Sequence, residues 1–219
     1  MNRKSCWAGS LLLAGILTLS SAGYAEDLKP VQLPKPQKDG GKPLMQVLKD
    51  RKSSRSFSSK KLPMQVLSDL LWAAFGVNRP DSGKRTAPSA VNWQEIDIYV
   101  ALAQGLYLYD AGAHILKPVL AEDIRAAAGR QKFTQVTPVD LIYVADRSRM
   151  GKATEDQKDF YSATDTGFIS QNVYLFCASE GLATVVLGLV DKPALAKKMG
   201  LKADQRVILT QPVGYPKKE

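Results

Sequence analysis

The sequence contains few of the side chains that most often carry out chemistry by themselves. It has one histidine, His114, and two cysteines, Cys6 and Cys177. No second histidine, cysteine pair or clustered carboxylate accompanies His114, so the sequence offers neither a zinc site nor a Ser-His-Asp triad. If the chain is an enzyme, we therefore expect the reactive group to belong to a bound cofactor.

Long apolar runs are also scarce, and the clearest one lies near the N-terminus. Residues 1–25 have a basic start, an apolar run from Leu11 to Leu19, and small residues leading to Ala25. This order is typical of a secretory signal peptide that is cleaved after Ala25. The run is shorter than the roughly 20 residues that span a bilayer. The sequence predicts export, to a bacterial periplasm or the extracellular space, without membrane attachment after cleavage; an uncleaved anchor is the alternative.

The remaining chain has little acidic charge and no possible disulfide. Cleavage would remove Arg3 and Lys4, which leaves 28 basic residues against 21 acidic ones and a net charge of about +7. No Lys/Arg stripe is interleaved with aromatic residues, so nucleic acid is not the expected partner. An anionic ligand or solubility explains the charge better. Cys177 lies in an apolar helical run, which predicts a buried, inert thiol.

The pattern of apolar residues predicts one α+β domain over residues 43–219, preceded by an extended linker or arm at 26–42. Helices are expected from Pro43, from Pro63 to about Gly76, at 122–130, from Thr154 to Glu180 and after Asp191. Strands are expected at 95–103, 106–110, 114–119, 138–146, 183–190 and 205–216, with a hairpin turn at Gln104-Gly105. We expect helices on both faces of a central mixed or antiparallel sheet.

The segment DRKSSRSF, residues 50–57, lies at the junction of the first two predicted helices. It holds three cations and three hydroxyls: Arg51, Lys52, Arg55, Ser53, Ser54 and Ser56. One interpretation is a solvated helix end, where cations are favourable. The other is an anion site, because arginine presents a fork to phosphate oxygens and serine adds a neutral donor.

The order of the segments resembles the nitroreductase-like FMN-dependent oxidoreductases over about residues 43–216. It comprises RxSxR after a first helix, a PSA-x-N-x-Q loop, a DIYV strand, a long helix ending in EGLAT, and a final VGYP. The resemblance implies a nitroreductase-like fold, an FMN cofactor, and an intertwined homodimer with the flavin at its interface. It also implies that the flavin passes a hydride or electron pair from a reduced donor such as NAD(P)H to a small molecule.

The same resemblance implies three groups of flavin-binding residues. The first grips the phosphate and ribityl chain: Arg51, Lys52, Ser53 and Arg55. The second is a loop along the flavin ring: Pro88, Ser89, Ala90, Asn92 and Gln94. Here an ordinary serine-capped turn is the alternative, and Glu95 stands where the family usually has proline. The third offers backbone N–H groups near the flavin N5: Leu187, Gly188 and Leu189. Lys217 could return to the phosphate, or could belong to a solvated tail.

The substrate class remains open at the level of sequence. GLYLYDAGAHILKPV resembles the SagB-type branch, which dehydrogenates azolines, whereas Asn92 and Gln94 are similar to ordinary nitroreductases. The acceptor could therefore be of nitro, quinone or azoline type. A catalytically reduced flavin- or ligand-binding protein of the same fold is an alternative, favoured by Glu95 and by the shortage of NAD(P)H outside the cytoplasm. A basic anion-binding module without flavin is a third.

Overall fold

A computed structural model gives the fold of residues 28–217. The predicted signal peptide lies outside the described residues. The helices are α1 (Leu44–Asp50), α2 (Met64–Phe75), α3 (Glu155–Glu180) and α4 (Lys192–Lys198). The strands are β1 (Val31–Gln32), β2 (Val77–Arg79), β3 (Lys84–Arg85), β4 (Ile96–Leu102), β5 (Gly105–Asp110), β6 (Ile115–Leu120), β7 (Val139–Asp146), β8 (Ala183–Thr184) and β9 (Gln205–Gly214).

A seven-stranded sheet in the order β1-β6-β5-β4-β7-β9-β8 forms the centre of the molecule. Each of its pairings is antiparallel. Alternate residues of β7 face opposite layers: Leu141 and Tyr143 pack with α2 and α3, whereas Ile142 and Val144 pack with Leu195 of α4. Because helices cover both faces, β4 and β7 are apolar almost throughout. The predicted α+β architecture is confirmed, with the antiparallel form of the sheet.

Helix α3 has the bounds that its sequence predicts, because both ends carry local signals. Thr154 and Gln157 form a reciprocal capping box, and Gly181 ends the helix in the left-handed conformation at φ 67°. Cys177 lies in its buried stripe, where burial raises the pKa of the thiol. No helix within residues 28–217 has both the length and the apolar character needed to cross a bilayer.

Two predicted elements are wrong. The segment 183–190 is not a strand, because only β8 and a single bridge between Leu187 and Thr210 pair with β9. Its apolar side chains are buried instead in a small cluster with Phe57. The segment 122–130 forms only one 3₁₀ turn, Arg125–Ala127. Asp123 Oδ1 accepts the Arg125 N–H, and the Arg130 N–H donates to Leu189 O, so both donors are diverted from a helix.

The arm preceding α1 is fixed to its own domain. Strand β1 pairs with β6. The Ser68 hydroxyl of α2 donates to Pro34 O at 2.6 Å, and the Lys42 N–H donates to Ser179 Oγ at 3.0 Å. The described part of the arm therefore belongs to the folded domain and is not a free linker.

His114 closes the turn between β5 and β6 and does not belong to the predicted strand. It has φ 54°, and its ring bonds Ser68 Oγ at 2.7 Å and Tyr109 Oη at 3.0 Å. Because the Ser68 hydrogen goes to Pro34 O, His114 Nε2 donates to Ser68 and Nδ1 accepts from Tyr109. Ser68 is fully buried. This contact fastens the arm and does not activate a nucleophile.

Candidate functional site

Residues 51–57 leave α1 as an extended segment whose backbone is held on two sides. The Ser54 N–H donates to Thr184 O of β8 at 2.9 Å. Phe57 forms a bridge with Pro216, and the Ser58 N–H donates to Tyr215 O at 2.8 Å. These bonds fix the backbone and leave Lys52, Ser53 and Arg55 exposed, with Arg51 half-buried. We call residues 51–55 the cationic segment.

The C-terminal tail passes beside the cationic segment. The Lys217 N–H donates to Ser56 O at 3.2 Å. Lys217 thereby joins Arg51, Lys52 and Arg55 in one region of the surface. Within residues 28–217, no carboxylate lies within ion-pair distance of these four cations. Four cations without a neutralising acid favour binding of an anion.

Tyr174 of α3 completes this region and was not predicted from the sequence. Its hydroxyl lies 2.9 Å from Ser53 Oγ and accepts the Val186 N–H at 2.9 Å. The Arg51 guanidinium lies over its ring, 5.3 Å from the centroid. Tyr174 can donate to Ser53, which leaves the Ser53 hydrogen available to an oxyanion. A cavity of about 280 Å³ adjoins this region, lined in part by Lys52, Tyr174 and Pro216 and also by Asp50, which forms an ion pair with Lys42.

The predicted ring loop, residues 88–94, has a strained backbone. Val91, Asn92 and Gln94 all lie in the left-handed region, at φ 49°, 58° and 49°. Such conformations cost on the order of 1–3 kcal/mol each, and they persist where surrounding contacts enforce them. Val91 is 83% exposed. An exposed, strained loop of this kind is typical of a ligand-binding segment.

Hydrogen bonds within the ring loop assign different roles to its two amide side chains. Arg85 donates to Gln94 Oε1 at 2.8 Å, and Gln94 Nε2 donates to Gly83 O and Asn92 Oδ1. Both Gln94 amide hydrogens are therefore used by protein acceptors. The Asn92 amide hydrogens have no partner among the described residues, so they can reach a ligand. Ser89 Oγ accepts the Gln94 N–H at 3.0 Å and does not cap the 3₁₀ turn that follows.

Two buried carboxyl groups lie beneath the ring loop. Asp165 of α3 accepts the Ala90 N–H at 2.8 Å. Glu95 is fully buried, and its carboxyl group meets that of Asp165. Burial, together with the neighbouring Asp165, raises the pKa of Glu95 to about 7. Burial also raises the pKa of Asp165. The sequence drew attention to Glu95 only as a departure from proline; Asp165 could have been found as an acid in the buried stripe of α3.

The third predicted group lies at the 187–189 turn. The Leu187 N–H donates to Thr210 O at 2.8 Å, so this donor is used in pairing with β9. Gly188 and Leu189 are exposed, and their N–H groups have no backbone partner in the part of the chain that the structure describes. The N–H groups of Gly188 and Leu189 are therefore the ones available to a ligand, while Leu187 positions them.

The predicted residues form two separate groups in one chain. The cationic segment, Lys217 and the 187–189 turn gather where β8 meets β9, next to Tyr174. The ring loop contacts α3 at Asp165, nine residues earlier along the helix. Nine residues of α-helix advance about 13 Å and turn through about 180°. The two groups therefore lie on opposite sides of α3, and one protomer does not bring them together.

Comparison with known proteins adds to this geometry. Residues 48–215 match the model of the Nitroreductase family. The chain belongs to the nitroreductase family. It is 32% identical to "Putative nitroreductase MJ1384" of Methanocaldococcus jannaschii over 181 residues, which cover 78% of this chain and 90% of that protein. The family assignment confirms the resemblance found in the sequence and makes the chain an oxidoreductase of the nitroreductase class.

Solved structures agree with the nitroreductase fold. The crystal structure of a "putative nitroreductase" from Ralstonia eutropha JMP134 is 41% identical, with a TM-score of 0.84, and the match covers 94% of this chain and 98% of that one. The NADPH:FMN oxidoreductase from Vibrio harveyi, complexed with NAD+, has a TM-score of 0.61 at 17% identity, covering 80% of this chain and 69% of that one. At that identity the second likeness shows the fold alone.

Proposed function

We propose that this nitroreductase-family chain is an exported, homodimeric FMN oxidoreductase. In this proposal it passes a hydride or electron pair from a reduced donor such as NAD(P)H to a small-molecule acceptor. The observation that carries it is the cationic segment with Lys217, because four cations without an acid partner among residues 28–217 suit a phosphate group. The membership in an oxidoreductase family supports the redox chemistry, and a fold relative that is an NADPH:FMN oxidoreductase supports the choice of flavin and donor.

The residues of the cationic region fit the phosphate end of FMN. Arg51, Lys52, Arg55 and Lys217 supply charge, and Ser53 supplies a neutral hydrogen. Arginine binds phosphate with parallel charge-assisted hydrogen bonds, which are about twice as strong as neutral ones. Tyr174 holds Ser53 in place. These residues bind and orient the cofactor and do not take part in proton or electron transfer.

The residues of the ring loop and the 187–189 turn fit the flavin ring. Its polar edge alternates donors and acceptors, which suits the free Asn92 amide and the N–H groups of Gly188 and Leu189. Gln94 and Leu187 then support these contacts, since their own donors are already used. When bound, the flavin supplies two-electron chemistry that the protein's side chains lack.

A second copy of the chain would unite the two groups of residues. Around the axis of α3, one exposed side lies between the directions of Asp165 and Tyr174. This side carries Phe160, 64% exposed, and Phe168, 46% exposed. Helix α1 packs beside α3 and exposes Leu44, Met45 and Leu48. A two-fold axis on this apolar face would bring the ring loop of one protomer to the cationic segment of its partner. The arm pairs with its own chain, so α1 and α3, and not a swapped arm, would form the contact.

The absorption spectrum of the purified protein, with and without added FMN, tests the proposal. We expect a flavin spectrum that remains after gel filtration and is bleached anaerobically by NADH or NADPH. Nitro and quinone compounds, which accept electrons, should then restore the oxidised spectrum. An azoline, which loses two electrons when it is dehydrogenated, should instead bleach the oxidised flavin. Protein that takes up no flavin would indicate the basic anion-binding module instead.

A catalytically reduced flavin-binding protein is the second candidate. The buried Glu95, in a position where the family usually has proline, changes the support of the ring loop and favours it. A bound flavin that no donor reduces, or that no acceptor reoxidises, would select this candidate. Export is tested separately, since N-terminal sequencing of the secreted protein should begin at Glu26; a soluble cytoplasmic chain that retains Met1 contradicts it.

A further inference from the structure

The strained ring loop depends on contacts made from outside it. Its hydrogen bonds to outside residues involve Arg85, Gly83, Arg149, which donates to Gln94 O at 2.8 Å, and Asp165. Among the described residues, Asp165 makes the loop's hydrogen bond to α3 by accepting the Ala90 N–H, and the Trp93 ring of the loop packs edge-on against Tyr161 of the same helix. Ala90 comes directly before the left-handed Val91 and Asn92. The bond from Ala90 to Asp165 therefore holds the loop where its backbone is most strained.

Glu95 makes this anchor sensitive to a proton. The residue is 0% exposed, and its carboxyl oxygens have no well-formed hydrogen bond from another residue in 28–217; its own backbone N–H is the amide nearest to them. The group that meets it is the Asp165 carboxyl, itself 1% exposed. Two ionised carboxylates in such contact repel each other strongly, and the arrangement is stable when one proton lies between them.

The surrounding charges do not replace that proton. Arg149, in the turn after β7, is the nearby cation, but its guanidinium already binds Asp97 of β4 and lies 3.5 Å from Asp146 at the end of β7. Arg85, in β3, is engaged with Gln94 and Phe75 O. On α3, Thr166 and Ser162 are the neutral polar neighbours of Asp165 in the buried stripe. A second negative charge beneath the loop would therefore remain uncompensated.

We propose that Glu95 and Asp165 share one proton, and that this proton holds the ring loop on α3 in its left-handed shape. Loss of the proton weakens the anchor and lets the loop open. The two acids are positioning residues, because both are buried under the loop and neither reaches the surface. The expected effect of loop opening on flavin binding rests on the proposed function, in which the loop lies along the flavin ring. The effect of the proton on loop opening does not depend on the proposed function.

The direction of the pH effect follows from linkage. The closed loop holds its proton up to about pH 7, whereas an opened Glu95 would lose it near its ordinary value of 4.5. Between these values, opening releases one proton, so the opening equilibrium rises about tenfold for each pH unit. Above about pH 7 both states are ionised, and the equilibrium should level off.

Hydrogen exchange of a peptide covering residues 88–95, corrected for intrinsic rates, measures this opening in the full chain without any flavin. In the wild type we expect protection to fall roughly tenfold per unit from about pH 5 to about pH 7 and then to level. Glu95→Gln and Asp165→Asn each keep a hydrogen between the two side chains and an acceptor for the Ala90 N–H. Glu95→Gln removes the titrating carboxyl group and should make protection nearly independent of pH. Asp165→Asn leaves the buried Glu95 in place and should only weaken the pH dependence. Asp140→Asn, at another buried acid far from the loop, should leave the wild-type profile unchanged.

Protection that does not vary with pH in the wild type, or that varies with pH in Glu95→Gln as strongly as in the wild type, overturns the proposal. FMN and riboflavin titrations at about pH 6 and about pH 8 then test the link to function. We expect both flavins to bind more weakly at the higher pH in the wild type and not in Glu95→Gln. A pH-dependent loop without this change would support the shared proton and contradict the placement of the loop on the flavin.

Discussion

At the scale of single residues, charge without a partner is the feature that most directly implies a ligand. Arg55 is exposed, and its backbone neighbours are fixed to β8 and to the C-terminal tail. An exposed arginine can serve as an ordinary solvated side chain, so exposure alone decides nothing. The fixed backbone matters more, because it holds several cations in one place before any anion arrives. Such preorganisation lowers the ordering cost of binding.

Removing one of these cations should weaken FMN and spare riboflavin. Hydrogen bonds to charged groups contribute on the order of 1.5–3 kcal/mol. Arg55→Ala or Arg51→Ala should therefore weaken FMN roughly tenfold to a hundredfold. Riboflavin has no phosphate and should bind almost unchanged, as titrations of both flavins will show. Lys49→Ala, which removes a charge from the last turn of α1, is the matched control. Equal losses of affinity for both flavins would contradict the phosphate site and support the alternative, that residues 50–57 are a solvated helix end.

The buried Glu95 should make stability fall as pH rises. Its pKa in the folded state is about 7, above its ordinary 4.5, so the folded chain keeps a proton that the unfolded chain has lost. The free energy of unfolding should therefore decrease between about pH 4.5 and pH 7, by up to roughly 3 kcal/mol. Urea unfolding of wild type and Glu95→Gln across this range measures it. The free energy of unfolding of the wild type should fall by this amount relative to that of Glu95→Gln as the pH rises. A difference that stays constant with pH would contradict the raised pKa of Glu95.

Residue types could be assigned to chemistry from the sequence, but their partners could not. The cations of residues 51–55 are neighbours along the chain, so their grouping was visible at once. Gln94 and Leu187 were predicted to bind flavin, yet their donors are used by Gly83, Asn92 and Thr210. Which donors remain free depends on the folded loop. Asp165 and Tyr174 were missed because their roles depend on segments distant in sequence.

At the scale of elements, the ring loop carries more strain than any other described segment. Four non-glycine residues among 28–217 have positive φ, and three of them are Val91, Asn92 and Gln94. Valine is poorly suited to this region because its branched side chain crowds the backbone. A loop that keeps such a residue exposed sacrifices stability, which is expected where its shape serves binding.

Val91→Gly should stabilise the protein. Glycine removes the strain of the left-handed conformation, which costs valine on the order of 1–3 kcal/mol. Glycine also loses more conformational entropy on folding, which offsets about 0.5–1 kcal/mol of this gain. We expect a net gain of roughly 1 kcal/mol, or a melting temperature about 2–4 °C higher. Thermal unfolding of the apoprotein measures it. Val136→Gly is the control, since Val136 is also an exposed valine, at 44%, but has φ −99° and should lose stability on substitution. A loss in both variants would mean that Val91 is not strained.

Helices with local end signals and the longer strands were predictable from the sequence, whereas the structure of one short apolar run was not. Helix α3 carries its own capping box and terminal glycine, so both ends could be read from the sequence. The segment 183–190 has the composition of a buried strand, but its hydrophobic residues pack on Phe57 instead of completing a ladder. An apolar run of this length fits a strand and a buried loop equally well.

At the scale of the whole molecule, the exposed face of α3 is the feature that supports the proposed dimer. The ring loop and the cationic segment border this face from opposite sides, with Phe160 and Phe168 between them. Exposed aromatic residues between two incomplete binding groups are expected where a second copy packs. The helix and the motifs could be predicted from the sequence. That they lie on opposite sides of α3 could not, because the structure was needed to show that the ring loop contacts Asp165 and the cationic segment contacts Tyr174.

A charge on this face should separate the protomers. Phe168→Lys places a cation in the proposed contact, whereas Phe168→Leu keeps it apolar. Light scattering should give twice the mature mass for the wild type and Phe168→Leu, and a larger monomer fraction for Phe168→Lys. FMN affinity should fall together with the dimer. A flavin-bound monomer would place the whole site in one chain.

The central claim is that one flavin is held by residues of two chains, and mixed dimers test it most directly. Arg55→Ala damages the cationic segment, and Asn92→Ala damages the ring loop. Dimers with one chain of each, isolated by two tags, would contain one site with both defects and one intact site. We predict one FMN bound per mixed dimer with wild-type affinity, whereas each homodimer should bind FMN only with the weakened affinity of its own variant. Mixed dimers of Arg55→Ala with Arg51→Ala are the control and should have no intact site. If Arg55→Ala/Asn92→Ala dimers bind FMN only as weakly as their parents, the shared site is wrong.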